Sequence, residues 1–105
     1  MYELKVVSHF SGAHQLRDSQ SKCEQLHGHN WKVEVFLTGP ELNGNGLLID
    51  FRWIKEALEK ILDLLDHRFL NDLDYFRDAN PSSENIAKFI FSALAAELNS
   101  DGVRV

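Results

Sequence analysis

The segment His27-Gly28-His29-Asn30-Trp31-Lys32-Val33-Glu34-Val35-Phe36-Leu37-Thr38 predicts one long β-strand. Its apolar residues alternate with polar ones, which is the period of two expected of a strand with one buried face. The residues on the predicted inner face are Trp31, Val33, Val35 and Leu37. The same period turns His27 and His29 to one face of the strand together.

Outward from this strand, the sequence predicts three further strands. Residues 2–10 form the preceding one, with apolar side chains of one parity at Leu4, Val6 and Phe10. On the other side, the segment 43–46 contains two Asn-Gly pairs, a strong hairpin signal. We therefore expect residues 47–49 to return as a strand, and residues 103–105 to open another one after the turn at 101–102.

Two amphipathic helices are predicted between these strands. Asp50 is suited to cap the first turn of one helix and a serine of the pair Ser82-Ser83 that of the other, where Pro81 also favours a helix start. The apolar residues at helical spacing are Ile54, Leu58, Ile61, Leu62 and Leu65 in the first, and Ile86, Phe89, Ile90, Ala93, Leu94 and Leu98 in the second. The order of elements predicts a single α+β domain, residues 1–105, with two helices on one face of an antiparallel sheet.

Composition limits the classes of protein that fit. The chain has 105 residues, 44% of them hydrophobic, and a formal net charge of -5. That acidic balance argues against a nucleic-acid-binding protein, and no apolar run reaches the length that spans a membrane. Since the first residues also lack a secretory signal, we expect a cytoplasmic protein. One cysteine allows neither an internal disulfide nor a multi-cysteine zinc finger, so a metal site must use histidines and carboxylates.

The histidines supply such a site. His27 and His29 can grip one ion from one face of their strand, although two histidines also fall two apart by chance. His14, near the end of the first strand, is the favoured third ligand, and His9 is a competing one. Three histidines with an open fourth position are typical of a catalytic zinc site.

Three further segments carry candidate acid–base or binding groups. Cys23 is either a small buried residue or, beside a metal, a thiolate ready to take a proton. Asp66 and His67 are either the end of the first helix or a carboxylate–imidazole pair for proton transfer. The segment 80–85 is either a capped helix start or a site for a ring with N–H donors, with Glu84 accepting two of its hydrogen bonds.

These segments resemble, in order, the motifs of the 6-pyruvoyl- and 6-carboxytetrahydropterin synthase family. The matching stretches are Phe10-Ser11-Gly12-Ala13-His14, Cys23-x-x-x-His27-Gly28-His29-Asn30, Leu48-Ile49-Asp50-Phe51, Leu65-Asp66-His67-x-x-Leu70-Asn71 and Asn80-Pro81-Ser82-Ser83-Glu84-Asn85. Five stretches in register across nearly the whole chain make this resemblance specific.

The resemblance implies a role for each candidate residue. It implies zinc ligation by His14, His27 and His29, which selects His14 over His9. It further implies Cys23 as general base, Asp66 with His67 as proton relay, and Glu84, with Ser82 and Ser83, as the pterin anchor. The implied substrate is 7,8-dihydroneopterin triphosphate.

The resemblance also implies an assembly. The family has the tunnelling fold (T-fold), in which sheets of several subunits join into a barrel, usually in a homohexamer of two trimers. Family sites lie between subunits, so Cys23 and the Asp66–His67 pair are expected from different chains. The family's C-terminal pterin-binding glutamate has no counterpart before Val105, and we expect a domain shortened at its C-terminus.

Among the activities that the resemblance allows, we expect a lyase that forms 6-carboxy-5,6,7,8-tetrahydropterin, an early step towards queuosine. The alternatives are 6-pyruvoyltetrahydropterin synthesis by the same residues and a non-catalytic zinc-binding oligomer.

Overall fold

A long two-stranded ribbon dominates the computed structural model, which describes residues 1–17, 25–100 and 102–105. Strands β1 (Tyr2–His14) and β2 (His27–Gly39) pair antiparallel over their full length, from Tyr2 opposite Gly39 to His14 opposite His27. The first strand therefore continues four residues beyond the predicted end at Phe10. This extension carries His14 into the ladder beside the second strand.

Helices and a short third strand follow the ribbon. They are α1 (Phe51–Leu62), β3 (Arg68–Phe69), a 3-10 helix (Leu70–Asp72), α2 (Tyr75–Asp78) and α3 (Ser83–Leu98). β3 runs parallel to β1 on the side away from β2, so the strand order is β2-β1-β3. The sheet is mixed, and the expectation of a purely antiparallel sheet is wrong at this edge.

Both predicted helix caps are confirmed. The Asp50 side chain accepts a hydrogen bond from the Arg52 backbone N–H at the start of α1, and Ser82 accepts one from Asn85 at the start of α3. These contacts satisfy backbone donors that a first helical turn leaves without partners. The first helix is shorter than predicted, because it ends at Leu62 and leaves the buried Leu65 in the turn that follows.

The core forms where the inner face of the ribbon meets α1 and α3. Val6, Phe10, Val35 and Leu37 on the strands are buried together with the inward side chains of both helices. Full burial of one such side chain contributes roughly 1.5–3 kcal/mol. The helical members of this core are Ile54, Ala57, Leu58, Ile61 and Leu62 in α1, and Ile86, Ile90 and Leu94 in α3.

Two of the predicted strands do not form as such. The Asn43 side chain accepts from the backbone N–H groups of Asn45 and Leu47, which closes a tight turn, but residues 47–49 then lead directly into α1 without pairing. At the other end of the chain, Arg104 and Thr38 exchange two backbone hydrogen bonds of 2.8 and 2.9 Å as an isolated bridge. A tight turn alone therefore does not make a hairpin when a helix cap follows it within four residues.

Across the described ranges, every helix is too short or too polar to traverse a lipid bilayer.

Candidate functional site

Three imidazoles converge at the end of the ribbon. His14 lies directly opposite His27 in the ladder, and His29 lies opposite Gly12, two residues back. The ring centroids are 4.5 Å apart for His14 and His27, 4.6 Å for His27 and His29, and 5.3 Å for His14 and His29. One nitrogen from each ring lies within 4.8 Å of the other two. We refer to these three residues as the histidine cluster.

His9 lies outside this cluster for a simple geometric reason. It is an odd number of positions from His14 on the same strand, so its side chain points to the opposite face of the sheet. It is exposed and pairs with Lys32, whose side chain also faces away from the core. Of the two candidate third ligands, only His14 is near His27 and His29.

Backbone carbonyls orient two of the three rings. The Nδ1 atom of His14 lies 2.6 Å from the Pro81 carbonyl oxygen, and that of His27 lies 2.9 Å from the Gln25 carbonyl oxygen. A carbonyl only accepts, so each Nδ1 carries the proton and each Nε2 is left with its lone pair. Hydrogen bonds of this kind from the second ring nitrogen are typical of metal-binding histidines.

The free nitrogens are spaced as a metal ion requires. The Nε2 atoms of His14 and His27 are 2.9 Å apart. Two nitrogens on a tetrahedral zinc ion are separated by about 3.3 Å, given Zn–N distances of about 2.05 Å, so a small movement of the rings admits the ion. Donor type, ring orientation and spacing all fit a divalent cation.

The cluster is buried on one side and open on the other. His14 is only 4% exposed, His27 is intermediate and His29 is exposed. Trp31 stacks on Phe10 with ring centroids 5.0 Å apart and touches His14 edge-on at the same distance. The core therefore fixes one wall of the cluster, while the His29 side is open to a ligand.

Asp66 and His67 lie at the edge of β1 that faces away from β2, against the Ser11 backbone. The Ser11 N–H donates to Asp66 Oδ1 at 2.9 Å, the His67 N–H donates to the Ser11 carbonyl, and His67 Nδ1 lies 3.0 Å from Asp66 Oδ2. Asp66 and His67 bond to each other and to the Ser11 backbone, and the Asp66 N–H donates to the Leu62 carbonyl at 2.8 Å. The structure brings Asp66 and His67 together, and within the described ranges no hydrogen bond joins either of them to the histidine cluster.

The electrostatics of the pair are set by these contacts. The pKa of Asp66 lies below its ordinary value, mainly because the carboxylate accepts a hydrogen bond from the Ser11 N–H. Partial desolvation raises the pKa, and the contact with His67 lowers it further. Asp66 therefore stays ionised at neutral pH and can accept a hydrogen bond from His67 Nδ1–H, which leaves the lone pair on Nε2.

His67 has an unusual backbone conformation. Its φ angle is +57°, in the left-handed region that few residues other than glycine adopt, and its side chain is 82% exposed. Histidine tolerates this region better than branched residues do, and such backbone strain is concentrated at functional sites.

Gly12 determines how closely this turn approaches β1. A Cβ atom at Gly12 would lie 3.1 Å from the Arg68 carbonyl oxygen and 3.5 Å from both the Leu65 carbonyl oxygen and the Trp31 ring. The first of these contacts is tighter than ordinary van der Waals packing allows. The turn that carries Asp66 and His67 can thus pack this closely against β1 only because Gly12 has no side chain.

The predicted pterin anchor lies next to the histidine cluster. Pro81, whose carbonyl accepts from His14, immediately precedes Ser82, Ser83 and Glu84 at the start of α3. Ser82 caps the helix, Ser83 accepts a hydrogen bond of 3.4 Å from the Trp31 indole, and Glu84 is exposed. A cavity of about 470 Å³ between β2 and α3 is lined by Trp31, Ser83 and mainly apolar side chains.

Cys23 lies outside the described residues, so the structure gives no geometry for the predicted general base.

Several residues that shape this site were not singled out from the sequence. The Asn71 amide makes two hydrogen bonds with the Gln15 backbone, and the Asn80 amide makes two with the Arg17 backbone. Both asparagines occur in stretches that carry the family resemblance, but neither was given a role of its own there. Their partners are more than fifty residues away, so no local pattern reveals the pairing.

The fold and the histidine cluster together define an α+β protein with a candidate metal centre. A family model described as 6-pyruvoyl tetrahydropterin synthase matches residues 3–105. A provisionally named 6-carboxy-5,6,7,8-tetrahydropterin synthase of Archaeoglobus fulgidus is 39% identical, covering 95% of this chain and 83% of that protein. The 6-carboxy-5,6,7,8-tetrahydropterin synthase of Bacillus subtilis is 33% identical, covering 94% of this chain and 69% of that protein.

A solved structure agrees with the sequence comparisons. The 6-pyruvoyl tetrahydropterin synthase of Caenorhabditis elegans superposes with a TM-score of 0.82 at 26% identity, over 94% of this chain and 80% of that one. The chain belongs to the 6-pyruvoyl tetrahydropterin synthase family, a family of lyases that act on pterins. The sequence-based recognition of this family is confirmed.

Proposed function

We propose that this protein is a zinc-dependent lyase that converts 7,8-dihydroneopterin triphosphate and water to 6-carboxy-5,6,7,8-tetrahydropterin, with loss of triphosphate and acetaldehyde. The observation that carries the proposal is the convergence of His14, His27 and His29, two of which have Nδ1 engaged by carbonyls and Nε2 turned inward. The names of the A. fulgidus and B. subtilis relatives favour the 6-carboxy product. Such an enzyme serves queuosine biosynthesis.

The histidine cluster would hold the zinc ion through neutral imidazoles. An ion held there would supply Lewis-acid polarisation to oxygen atoms of the substrate side chain. The exposed side of the cluster, next to His29, gives the substrate access, while the buried His14 and its contact with Trp31 keep the opposite side closed.

Proton transfer would fall to residues outside the cluster. Cys23, four residues before His27, is the proposed general base, because a thiolate near a cation has a lowered pKa. Asp66 holds His67 by Nδ1, so His67 Nε2 is the proposed partner in proton exchange with the substrate.

The separation of these groups supports an assembled enzyme. His67 is 82% exposed and contacts Asp66 rather than the histidine cluster. We propose that His67 completes the site of a neighbouring subunit in a homo-oligomer, a hexamer of two trimers with an intersubunit barrel. A second copy of the chain that covers His67 would account for an imidazole that is oriented by Asp66 and yet exposed in the single chain.

The start of α3 would bind the pterin ring. Glu84 is exposed there and has the two oxygen atoms needed to accept from an amino-pyrimidinone edge, with Ser82 and Ser83 beside it. The hydrogen bond between Trp31 and Ser83 connects this helix start to the wall of the histidine cluster.

Product analysis tests the function. The purified protein, loaded with zinc, is incubated with 7,8-dihydroneopterin triphosphate, and triphosphate, acetaldehyde and pterin products are measured together with metal content. Acetaldehyde and the 6-carboxy product in equal amounts support the proposal. A 6-pyruvoyl product without acetaldehyde supports the second candidate, which the match to the C. elegans structure favours. Zinc binding without turnover would indicate a non-catalytic zinc-binding oligomer.

Replacement of the proposed base separates catalysis from metal binding. The Cys23→Ala substitution is expected to reduce turnover at least 100-fold, because a positioned general base contributes about 10²–10⁴ to the rate. Zinc content is expected to remain that of the wild type, since the thiol is not a proposed ligand. Full activity in Cys23→Ala would disprove the assignment of the base.

A further inference from the structure

A closed ring of contacts passes through His14. The chain runs from His14 through Gln15 and Leu16 to Arg17, where the backbone is bound by the Asn80 amide. Asn80 is bonded covalently to Pro81, and the Pro81 carbonyl accepts from His14 Nδ1 at 2.6 Å, which closes the ring. We propose that Asn80 is a positioning residue for the ligand His14 and acts through the Pro81 carbonyl, an inference that rests on the metal site proposed above.

The Asn80 side chain pairs with Arg17 as a neighbouring strand would. Its Oδ1 accepts from the Arg17 N–H at 2.9 Å, and its Nδ2 donates to the Arg17 carbonyl at 2.6 Å. Two antiparallel hydrogen bonds fix both the distance and the orientation of an amide. The segment that leaves β1 after His14 is therefore held against the residue that precedes Pro81.

The backbone around Asn80 is equally constrained. The Asn80 carbonyl accepts from the Asn85 side chain and from the Ser82 N–H, each at 2.8 Å. Pro81 is buried and its ring fixes φ, so few torsions remain between Asn80 and the carbonyl that meets His14. A displacement of Asn80 is consequently transmitted to the Pro81 carbonyl.

The Arg17 side chain secures the same contact from the other side. Its guanidinium donates to the Phe76 carbonyl at 2.7 Å and to the carbonyls of Arg77 and Ala79 at 3.2 and 3.3 Å. These carbonyls belong to α2 and the residue that follows it. Arg17 and Asn80 thus bind each other's backbone segments.

Asn71 provides a matched control. Its amide makes the same two bonds with the preceding part of the segment, accepting from the Gln15 N–H at 2.9 Å and donating to the Gln15 carbonyl at 2.8 Å. Asn71 belongs to the 3-10 helix and is not adjacent to Pro81. Removal of either amide costs two equivalent hydrogen bonds, but only Asn80 is linked to the carbonyl that orients His14.

The experiment compares Asn80→Ala with Asn71→Ala in the full chain. In metal-free protein labelled with ¹⁵N-histidine, the wild-type His14 is expected to show one tautomer with the proton on Nδ1. Asn80→Ala is expected to show exchange between tautomers, while Asn71→Ala retains the wild-type signal. Cobalt affinity, measured by chelator competition, is expected to fall about tenfold in Asn80→Ala, because loss of a group that orients a metal ligand lowers affinity at least this much. In Asn71→Ala it is expected to fall less than about twofold.

Unchanged His14 resonances in Asn80→Ala, or equal losses of cobalt affinity in both variants, would overturn the inference. If Asn80→Ala does not fold, Asn80→Asp serves instead, because it retains the acceptor for Arg17 and removes only the donor. If the wild type binds no cobalt, the proposed metal site fails, and the tautomer of His14 in the metal-free proteins still decides the role of Asn80.

Discussion

The histidine cluster and the Asp66–His67 pair both present imidazoles, but the fold builds them in different ways. The cluster lies on two paired strands of 13 residues each, and its orientation follows from the ladder. The pair lies on a turn after α1 and is attached to β1 by hydrogen bonds to Ser11. One is partly buried and pre-arranged, and the other is exposed at a strained residue.

Under the proposed function, this difference assigns metal binding and proton transfer to separate parts of one short chain. Metal ligands must meet at fixed distances, which regular strands provide. A group that exchanges protons with a substrate must reach it, which an exposed turn allows. Substitutions in the two regions should therefore have different consequences.

Loss of a cluster residue should have the largest effect. We expect His27→Ala to abolish both zinc binding and turnover, since two nitrogens cannot hold the ion in a tetrahedral catalytic site. Zinc per subunit, measured by elemental analysis after dialysis, checks this. His9→Ala is the control on the opposite face of β1 and should retain both properties. Stoichiometric zinc in His27→Ala would contradict the assignment of the cluster.

Substitution in the Asp66–His67 pair should affect turnover alone. Asp66→Asn retains an acceptor for the Ser11 N–H but removes the negative charge that holds His67. We expect turnover to fall by about 10²–10⁴, the usual contribution of acid–base catalysis, with zinc content unchanged. Loss of zinc from this variant would show that the two regions are not separate.

Acid should expose a smaller effect of Asp66 on stability. The pKa of Asp66 is lower in the folded protein than in the unfolded chain, where it is about 3.9. The ionised carboxylate therefore stabilises the folded state above about pH 3.9, and this stabilisation is lost as the pH falls through the pKa of the folded protein. We expect the wild type to lose more stability than Asp66→Asn when the pH falls below about 4. Urea unfolding of the metal-free proteins between about pH 5 and pH 2 provides the measurement. Parallel pH profiles would contradict it.

The smallest effect should come from the backbone of His67. A left-handed conformation costs a residue with a Cβ about 1–2 kcal/mol, whereas glycine adopts it freely. We expect His67→Gly to be more stable than His67→Ala by about 1 kcal/mol, although both lose the imidazole. Thermal unfolding of the two variants tests this, and a more stable alanine variant would show that φ is relaxed at this position.

The regular parts of the fold could be predicted because their signals are periodic. Alternation in residues 31–37 and helical spacing in residues 54–62 reflect burial on one face, and the structure buries those faces. The caps at Asp50 and Ser82 follow from local chemistry and were also predictable. The period of two placed His27 and His29 on one face of their strand, whereas His14 was chosen only for its position near the end of the first strand and by the family resemblance.

The irregular parts could not be predicted for equally physical reasons. Two residues are too few to show a period, so β3 and its parallel pairing left no signal in the sequence. The segment 47–49 has strand-like composition, but the cap at Asp50 begins a helix before pairing can start. The contacts of Asn71 and Asn80 join distant segments through side-chain amides, and only the folded chain brings these together.

Gly12 lies where these two regions meet. Because Gly12 has no side chain, the Arg68 carbonyl can approach it closely. In the ladder between β1 and β2, the residue opposite Gly12 is His29. A Cβ atom at Gly12 would press on the Arg68 carbonyl oxygen, so the turn that carries Asp66 and His67 would have to move away from β1. The face that the proposed proton carrier presents to a neighbouring subunit thus depends on a position without a side chain.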